Sequence, residues 1–455
     1  MKKLLCLAMG LGMAFSAAAC GGNSSTSNNS STGGGNSGET IKLTVWCPEA
    51  DHEFAKQVAE DYKKANPDKT YKFFFGIQGE NDAATKVLND VTNAPDVFSF
   101  PSDQINRLIN GDALARIGGS RLDTVKANNS ADAVDSATVT VEGEERTYAM
   151  PYTDNTFFLY YNKSVFSEED VKTLDGILAK CTAPDSEGKN GKQFAMPLND
   201  GWYSTSFYFG EGLGYEVTFD DAFGETQITC DFANDKGKVV TQALWETISN
   251  PKVKPDTDDS KSAAGFQDGS IVAAVSGIWN KTTFEKYLGE DFAVAKLPTY
   301  TLNRGAADEK QVQLVSFAGY KLLGISNYSK NKAEAMSFAE FYSNKQNQLL
   351  HFDLRGFVPT NLEAQQEERV KNDACAKAIT AQLQYTKAQK NVPSTLWTPM
   401  QGLGDGLIAL KQRCYGGSVE RAFDECCKSN RKATCGITLF VEKRFAPLQN
   451  GANCR

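Results

Sequence analysis

Histidine is nearly missing from this chain: His52 and His351 are the only two among 455 residues. That scarcity argues against a multi-histidine metal site and against most chemistry needing an imidazole base. Positive charge is also short, with 48 Lys and Arg against 56 Asp and Glu, for a formal charge of −8. An acidic balance disfavours nucleic acid and anionic membrane surface as partners. No apolar run is long enough to cross a bilayer, and no periodic repeat is evident. No Ser/His/Asp or Cys/His arrangement stands out. No metal and no cofactor is therefore expected.

What is present begins at the first residues. Lys2 and Lys3 precede an apolar run, Leu4 to Phe15, and Ala17-Ala18-Ala19 then lead into Cys20. A positive start, a short apolar run and small residues before a cut describe a secretory signal over residues 1–19. The cysteine after the small residues resembles the lipobox of bacterial lipoproteins, with Ala17 where that motif usually has Leu. The resemblance implies acylation of Cys20. Residues 20–40 are nearly all Gly, Ser, Asn and Thr, too polar to offset their ordering entropy, and read as a flexible tether. A lipid-bearing cysteine followed by a tether places a globular body above the outer face of a bacterial cytoplasmic membrane. Losing the two leader lysines takes the charge to about −10. Of the 11 cysteines, Cys6 leaves with the leader and Cys20 is spent on lipid. The odd remainder and pairs such as Cys426-Cys427 fit neither a disulfide framework nor a zinc pattern.

About 415 residues follow the tether, enough for more than one core. Strand and helix patterns alternate. Ile41 to Trp46 reads as a strand, and Asp51 as the cap of a helix with Phe54, Val58 and Tyr62 on one face. Tyr71 to Phe75 reads as strand, Asn81 to Val91 as helix and Asp96 to Phe100 as strand. That rhythm predicts an α/β fold with a parallel sheet covered on both faces. Ligands of such sheets sit beyond the carboxyl ends of the strands, where Trp46-Cys47-Pro48-Glu49 and Phe100-Pro101-Ser102-Asp103 lie. Further strands are expected over Phe157 to Tyr161, Ser270 to Ser276 and Val312 to Ile325, and helix over Lys332 to Tyr342 and most of the chain after Asn361. The 16 Tyr, 27 Phe and 5 Trp suit ligands whose surface alternates apolar faces with hydroxyls.

Several phrases then occur in order: Lys42-Leu43-Thr44-Val45-Trp46, Pro95-Asp96-Val97-Phe98, Met150-Pro151-Tyr152, Leu159-Tyr160-Tyr161-Asn162-Lys163, Asp268-Gly269-Ser270, Ser276-Gly277-Ile278-Trp279 and Arg355-Gly356-Phe357-Val358-Pro359-Thr360. Together they resemble the extracellular solute-binding proteins of ABC importers, in the carbohydrate group that includes maltose-binding protein. The resemblance covers roughly Ile41 to Asp424. It implies a two-lobed, type II periplasmic-binding-protein-like fold, each lobe a sheet flanked by helices, joined by a hinge. The implied division is residues 41–151 and 301–358 in the first lobe, and 152–300 and 359–424 in the second, with crossings near Tyr152, Tyr300 and Pro359. A monomer, an oligosaccharide ligand and an ABC permease partner are implied with it, with malto-oligosaccharides as the expected sugar.

The resemblance also implies a set of ligand residues. Trp279 and Trp397 fall at sugar-stacking positions, and Trp202-Tyr203 on a segment that supplies a third aromatic wall. Asp103 falls where a carboxylate accepts sugar hydroxyls, Phe100 where an aromatic wall is common, and Asn155 where maltose binders often place a Glu. Trp46 and Glu49 end the first strand and would face the cleft; Tyr152 would line it or pack the hinge. The competing class is a lipid-anchored carbohydrate-active enzyme using a carboxylate pair, though no motif singles out such a pair. Cys47 has no motif for a base and reads as a packing residue. Asp256, Asp258 and Asp259 lie in a segment without the EF-hand glycine and terminal glutamate, and read as a solvated loop.

The last stretch departs from the rest. Gly416-Gly417-Ser418 reads as the start of a final helix, with Val419, Ala422, Phe423 and Cys426 on one face. Residues 425–455 then hold four Cys and six basic residues against two acidic. The preferred reading is a frameshift near Asp424: one permitted back-translation of Glu425 to Ala433, read one base later, restores an amphipathic helix.

Overall fold

The computed structural model describes residues 40–141 and 143–415. The expected leader, Cys20 and its tether, and the tail from Gly416 onward lie outside the described residues.

Two sheets organise the chain. In the first, strand Ile41–Cys47 lies between parallel neighbours Tyr71–Ile77 and Val97–Pro101. Strand Ser316–Ile325 runs antiparallel to Val97–Pro101 and also pairs with Ala149–Asn155 and the short Thr386–Ala388. Side chains alternate between two faces, as the pleat requires. Leu43, Val45 and Cys47 pack with helix His52–Ala65 in one core, while Phe98, Phe100 and Leu322 pack with helix Glu80–Asn89 in another. Each fully buried side chain of that size contributes about 1.5–3 kcal/mol.

The second sheet runs Val253–Lys254, Gln193–Ala195, Ile271–Gly277, Phe157–Asn162, Phe292–Ala295. Its faces are equally distinct. Phe157, Leu159 and Tyr161 enter the largest core, and Phe158 and Tyr160 enter another with helix Ala374–Leu383. Both sheets are thus buried on both sides, the two-lobed α/β arrangement the sequence implies.

The crossings between sheets are short. Chain direction continues from Ala149–Asn155 to Phe157–Asn162 through Thr156, whose Oγ1 lies 2.9 Å from Ser316 Oγ. The second crossing, expected near Tyr300, falls instead at Val315–Ser316. Tyr300 is buried in the second lobe on hairpin Thr299–Leu302/Lys310–Gln313, and its hydroxyl donates to Phe207 O at 2.8 Å. Leu314 and Val315 interrupt what reads in sequence as one strand from Val312 to Ile325. At the third, Thr153 Oγ1 donates to Val358 O at 2.9 Å and Thr153 bridges Pro359. Thr386–Ala388 then returns to the edge of the first sheet, inside a stretch expected to be mostly helix and to belong to the second lobe.

Candidate functional site

A cleft of about 1470 Å³ lies between the two sheets, larger than the usual 300–1,000 Å³ of a small-ligand pocket. Three half-buried indoles line it, those of Trp202, Trp279 and Trp397. Each is held for a local reason. Trp279 follows strand Ile271–Gly277, and its ring lies back over Gly277, where an added Cβ would come within 2.0 Å of the indole. Only glycine leaves that space, which is the physical content of the Gly-x-Trp pattern. Asp259 Oδ2 accepts the Trp279 indole N–H at 2.9 Å, while Oδ1 accepts from Ser276 at 3.1 Å and Asn280 at 2.5 Å. Trp202 stands in the first turn of helix Gly201–Gly210, where the Asp200 side chain accepts its backbone N–H at 2.8 Å. Burial pushes the Asp200 carboxyl up, against that hydrogen bond. Gly201 lets this helix approach helix Trp397–Tyr415, since a Cβ there would meet Met400 at 2.6 Å and the Trp397 ring at 3.5 Å.

One amide joins the two sides. Gln389 Oε1 accepts the Trp202 indole N–H at 3.2 Å, and its Nε2 donates to Asp103 Oδ1 at 3.0 Å. Burial raises the Asp103 carboxyl to about 7, with the Gln389 hydrogen bond opposing it. Trp202 and Trp279 stand 5.7 Å apart and tilted by 43°, so they form one aromatic corner with carboxylates at its rim.

A second polar group occupies the first lobe's wall. Lys321 and Glu80 form an ion pair at 2.5 Å, both under a tenth exposed, and Glu80 also accepts the Tyr152 hydroxyl at 2.8 Å. Lys321 Nζ lies 4.5 Å from the Phe357 ring centroid and 5.9 Å from that of Trp279. Asp51 Oδ1 accepts Arg355 Nε at 3.0 Å, and buried His351 is stacked between Phe54 and Phe357 with Nε2 3.4 Å from the same oxygen. Burial acts to raise the Asp51 carboxyl, but contact with His351 and the charges of Lys321 and Arg355 outweigh it and hold it well below the usual range. This use of Asp51 corrects the expectation that it caps helix His52–Ala65; no side-chain cap bond forms there.

Comparison with known proteins fits this geometry. Residues 57–378 match the family model for bacterial extracellular solute-binding proteins. The chain belongs to that family. Among the relatives of this solute-binding protein is the maltooligosaccharide ABC transporter solute-binding lipoprotein of Streptococcus pneumoniae serotype 4, 26% identical over 81% of this chain and 84% of the relative. The galactooligosaccharide-binding protein of Bacillus subtilis is 26% identical over 67% of this chain and 70% of its own length. A solved structure with acarbose superposes with a TM-score of 0.74 at 30% identity, covering 90% of this chain and 99% of that one. The S. pneumoniae MalX structure with maltopentaose shares the fold, with a TM-score of 0.66 at 20% identity over 88% of this chain and 99% of that one.

Of the residues singled out from the sequence, Asp103, Asn155, Trp202, Tyr203, Trp279 and Trp397 line the cleft of the solute-binding protein. Tyr203 shows little of its surface there, being 6% exposed and packed on Phe157 with ring centroids 4.8 Å apart. Four others do not line it. Phe100 is wholly buried, because every residue of Val97–Pro101 lies between two covered faces. Trp46 packs over Gly76 in the same lobe. Glu49 points outward from the turn whose Asp51 points in. Tyr152 sits one step behind the wall, supporting Glu80. Asp259, Gln389, Lys321 and Glu80 were missed. Asp259 is not in a solvated loop: Asp258 caps helix Asp259–Asp268, whose first residue is aimed at Trp279. Cys47 is buried and its thiol is pushed up to about 12, by burial first and then by Asp51 and Glu80, as suits packing.

Proposed function

We propose that this protein captures an oligosaccharide, a malto-oligosaccharide by preference, in the interlobe cleft and presents it to an ABC permease. The observation that carries this reading is the aromatic corner of Trp202 and Trp279 with Asp259 and Asp103 at its rim. Flat rings take the C–H faces of a pyranose, and carboxylates and amides beside them take the hydroxyls. The names of relatives support it: malto-oligosaccharide, galacto-oligosaccharide and maltotriose binders recur among them. Asp103, Asn155, Trp202, Trp279 and Trp397 are the residues assigned to ligand contact, with Tyr203 as a partial wall. The protein acts by binding and release, without turnover. Contacts from both lobes favour a closed form, and the ligand shifts that balance only by its better affinity for it. A lipid at Cys20 holds a monomer on the outer face of the membrane, and the tether raises its local concentration at the permease.

The test is tryptophan fluorescence and melting temperature against gluco-, galacto-, xylo- and fructo-oligosaccharides, with product analysis on the same samples. A saturable shift with the gluco series and no turnover is expected. Turnover would reject a pure binding role; a shift with galacto-oligosaccharides alone would reject the sugar assignment.

A further inference from the structure

A hairpin of the second lobe reaches across the cleft. Its strands, Tyr215–Phe219 and Glu225–Cys230, pair only with each other among the described residues. Tyr215 and Cys230 anchor its base in the largest core. Its flank is tied to the segment before Trp397, where Glu225 accepts Ser394 N–H at 2.7 Å and Ser394 Oγ–H at 3.0 Å. Its tip touches the opposite lobe: Asn110, the last residue of helix Ile105–Asn110, donates from Nδ2 to Ala222 O at 2.7 Å. Beside this contact Asn106 Nδ2 donates to Asn391 Oδ1 at 2.7 Å, a second bond near the same rim.

The tip carries a conformational anomaly. Phe223 has φ +62°, the left-handed region that glycine and asparagine occupy readily and a bulky side chain rarely does. The turn is braced so that it holds there: the Asp220 carboxylate accepts Ala222 N–H at 2.9 Å and Gly224 N–H at 2.8 Å, and Phe223 N–H donates to Asp220 O at 3.0 Å. Strained residues of this kind persist where the surroundings over-determine them, and an observed outlier is grounds for a functional hypothesis. The Phe223 ring is half-buried and lines the cleft, with Phe219 and Glu225 of the same hairpin.

We infer that this hairpin closes the cleft on the Asn110 side and that Phe223 is its end wall, a specificity-determining residue that limits how long an oligosaccharide can be held. The inference rests on the oligosaccharide reading above. Asn110 positions the tip and Phe223 supplies the barrier, so the two can be separated by mutation.

Titration calorimetry of the full-length wild-type protein, F223G and N110A against maltose through maltoheptaose tests it. Glycine accepts φ +62° without strain, which offsets the loss of the half-buried ring, so F223G should melt within a few degrees of wild type, and its Tm, measured alongside, separates a binding change from a folding defect. Wild-type affinity should rise with chain length and then fall. In F223G that fall should move by at least one sugar, with about a tenfold gain for maltoheptaose over wild type and less than about a threefold change for maltotriose. N110A should shift the profile the same way by a smaller amount. Unchanged length profiles in both variants, or a wild-type profile with no upper limit, would overturn the role of the hairpin and leave the oligosaccharide reading standing. A wild-type protein that binds none of the series would overturn both.

Discussion

The carboxylate of Asp259 accepts the indole N–H of Trp279 at 2.9 Å, across 20 residues of sequence. The same group accepts Ser276 Oγ–H and Asn280 Nδ2–H. Three donors converge on one carboxylate, and together they set the angle at which the Trp279 ring meets the cleft. D259N keeps the shape but turns an amide N–H₂ toward donors. Asp259 is exposed, so the change forfeits an ordinary hydrogen bond of about 0.5–1.5 kcal/mol, and oligosaccharide affinity should fall about two- to tenfold. Calorimetry reads the loss, and tryptophan emission should change as the indole loses its partner. Unaltered affinity would mean that the ring angle is set by Gly277 alone.

Removing a platform should cost more than loosening it. W279A and W202A each delete a large ring from the centre of the cleft, where binding energy concentrates. A loss of about 2 kcal/mol or more, roughly 30-fold in Kd, is expected for each. Because the two rings are in contact at 5.7 Å, the double variant should lose less than the sum of the two.

Asp103 makes binding and stability depend on pH in opposite senses. Its folded value, raised by burial to about 7, exceeds the unfolded value of about 3.9. The folded state therefore binds the proton more tightly, and its stability contribution is full below about pH 4 and is lost as pH rises through about 7. D103N has no such group and should retain its Tm better between pH 4 and 8. Asp154, also raised by burial to about 7, titrates in the same window in both proteins, so the difference between them isolates Asp103. Sugar hydroxyls donate best to the ionised form. Wild-type affinity should therefore weaken by about tenfold from pH 8 to pH 5, a dependence that D103N should reduce.

The Glu80–Lys321 pair should behave as a buried ion pair. K321M or E80Q leaves one charge or polar group without its partner inside the wall, and a loss of about 3–5 kcal/mol is expected, seen as a clear fall in Tm. The double variant E80Q/K321M should recover most of it. A single variant that melts like wild type would show that the survivor reaches solvent through the cleft.

The elements themselves were largely legible. Helix Lys332–Tyr342 and strand Ile41–Cys47 fall where apolar periodicity and alternation put them. Strand Val97–Pro101 is legible too, yet its sequence does not show that Phe100 faces a core and not the cleft. A run buried on both faces reads the same whether its aromatic faces a ligand or a helix. Val312 to Ile325 read as one strand because Leu314 and Val315 are apolar. Only the second lobe's core, which takes Leu314, shows why the chain bends there.

Sequence alone determined the family-bearing phrases, the alternation of strand and helix and the Gly-x-Trp turn at Trp279. All of these depend on neighbours within a few residues, where propensity, periodicity and steric limits operate. The tertiary structure decided which polar groups meet the rings. Asp259 from a helix start, Gln389 from just past a returning strand, and Lys321 with Glu80 from separate elements of one lobe reach the cleft through pairings that run from tens to hundreds of residues apart. No local pattern encodes those pairings: Asp259–Trp279 and Glu80–Lys321 follow from packing within a lobe, and Gln389 meets Trp202 only because two doubly covered sheets are joined at Thr156 and Ser316.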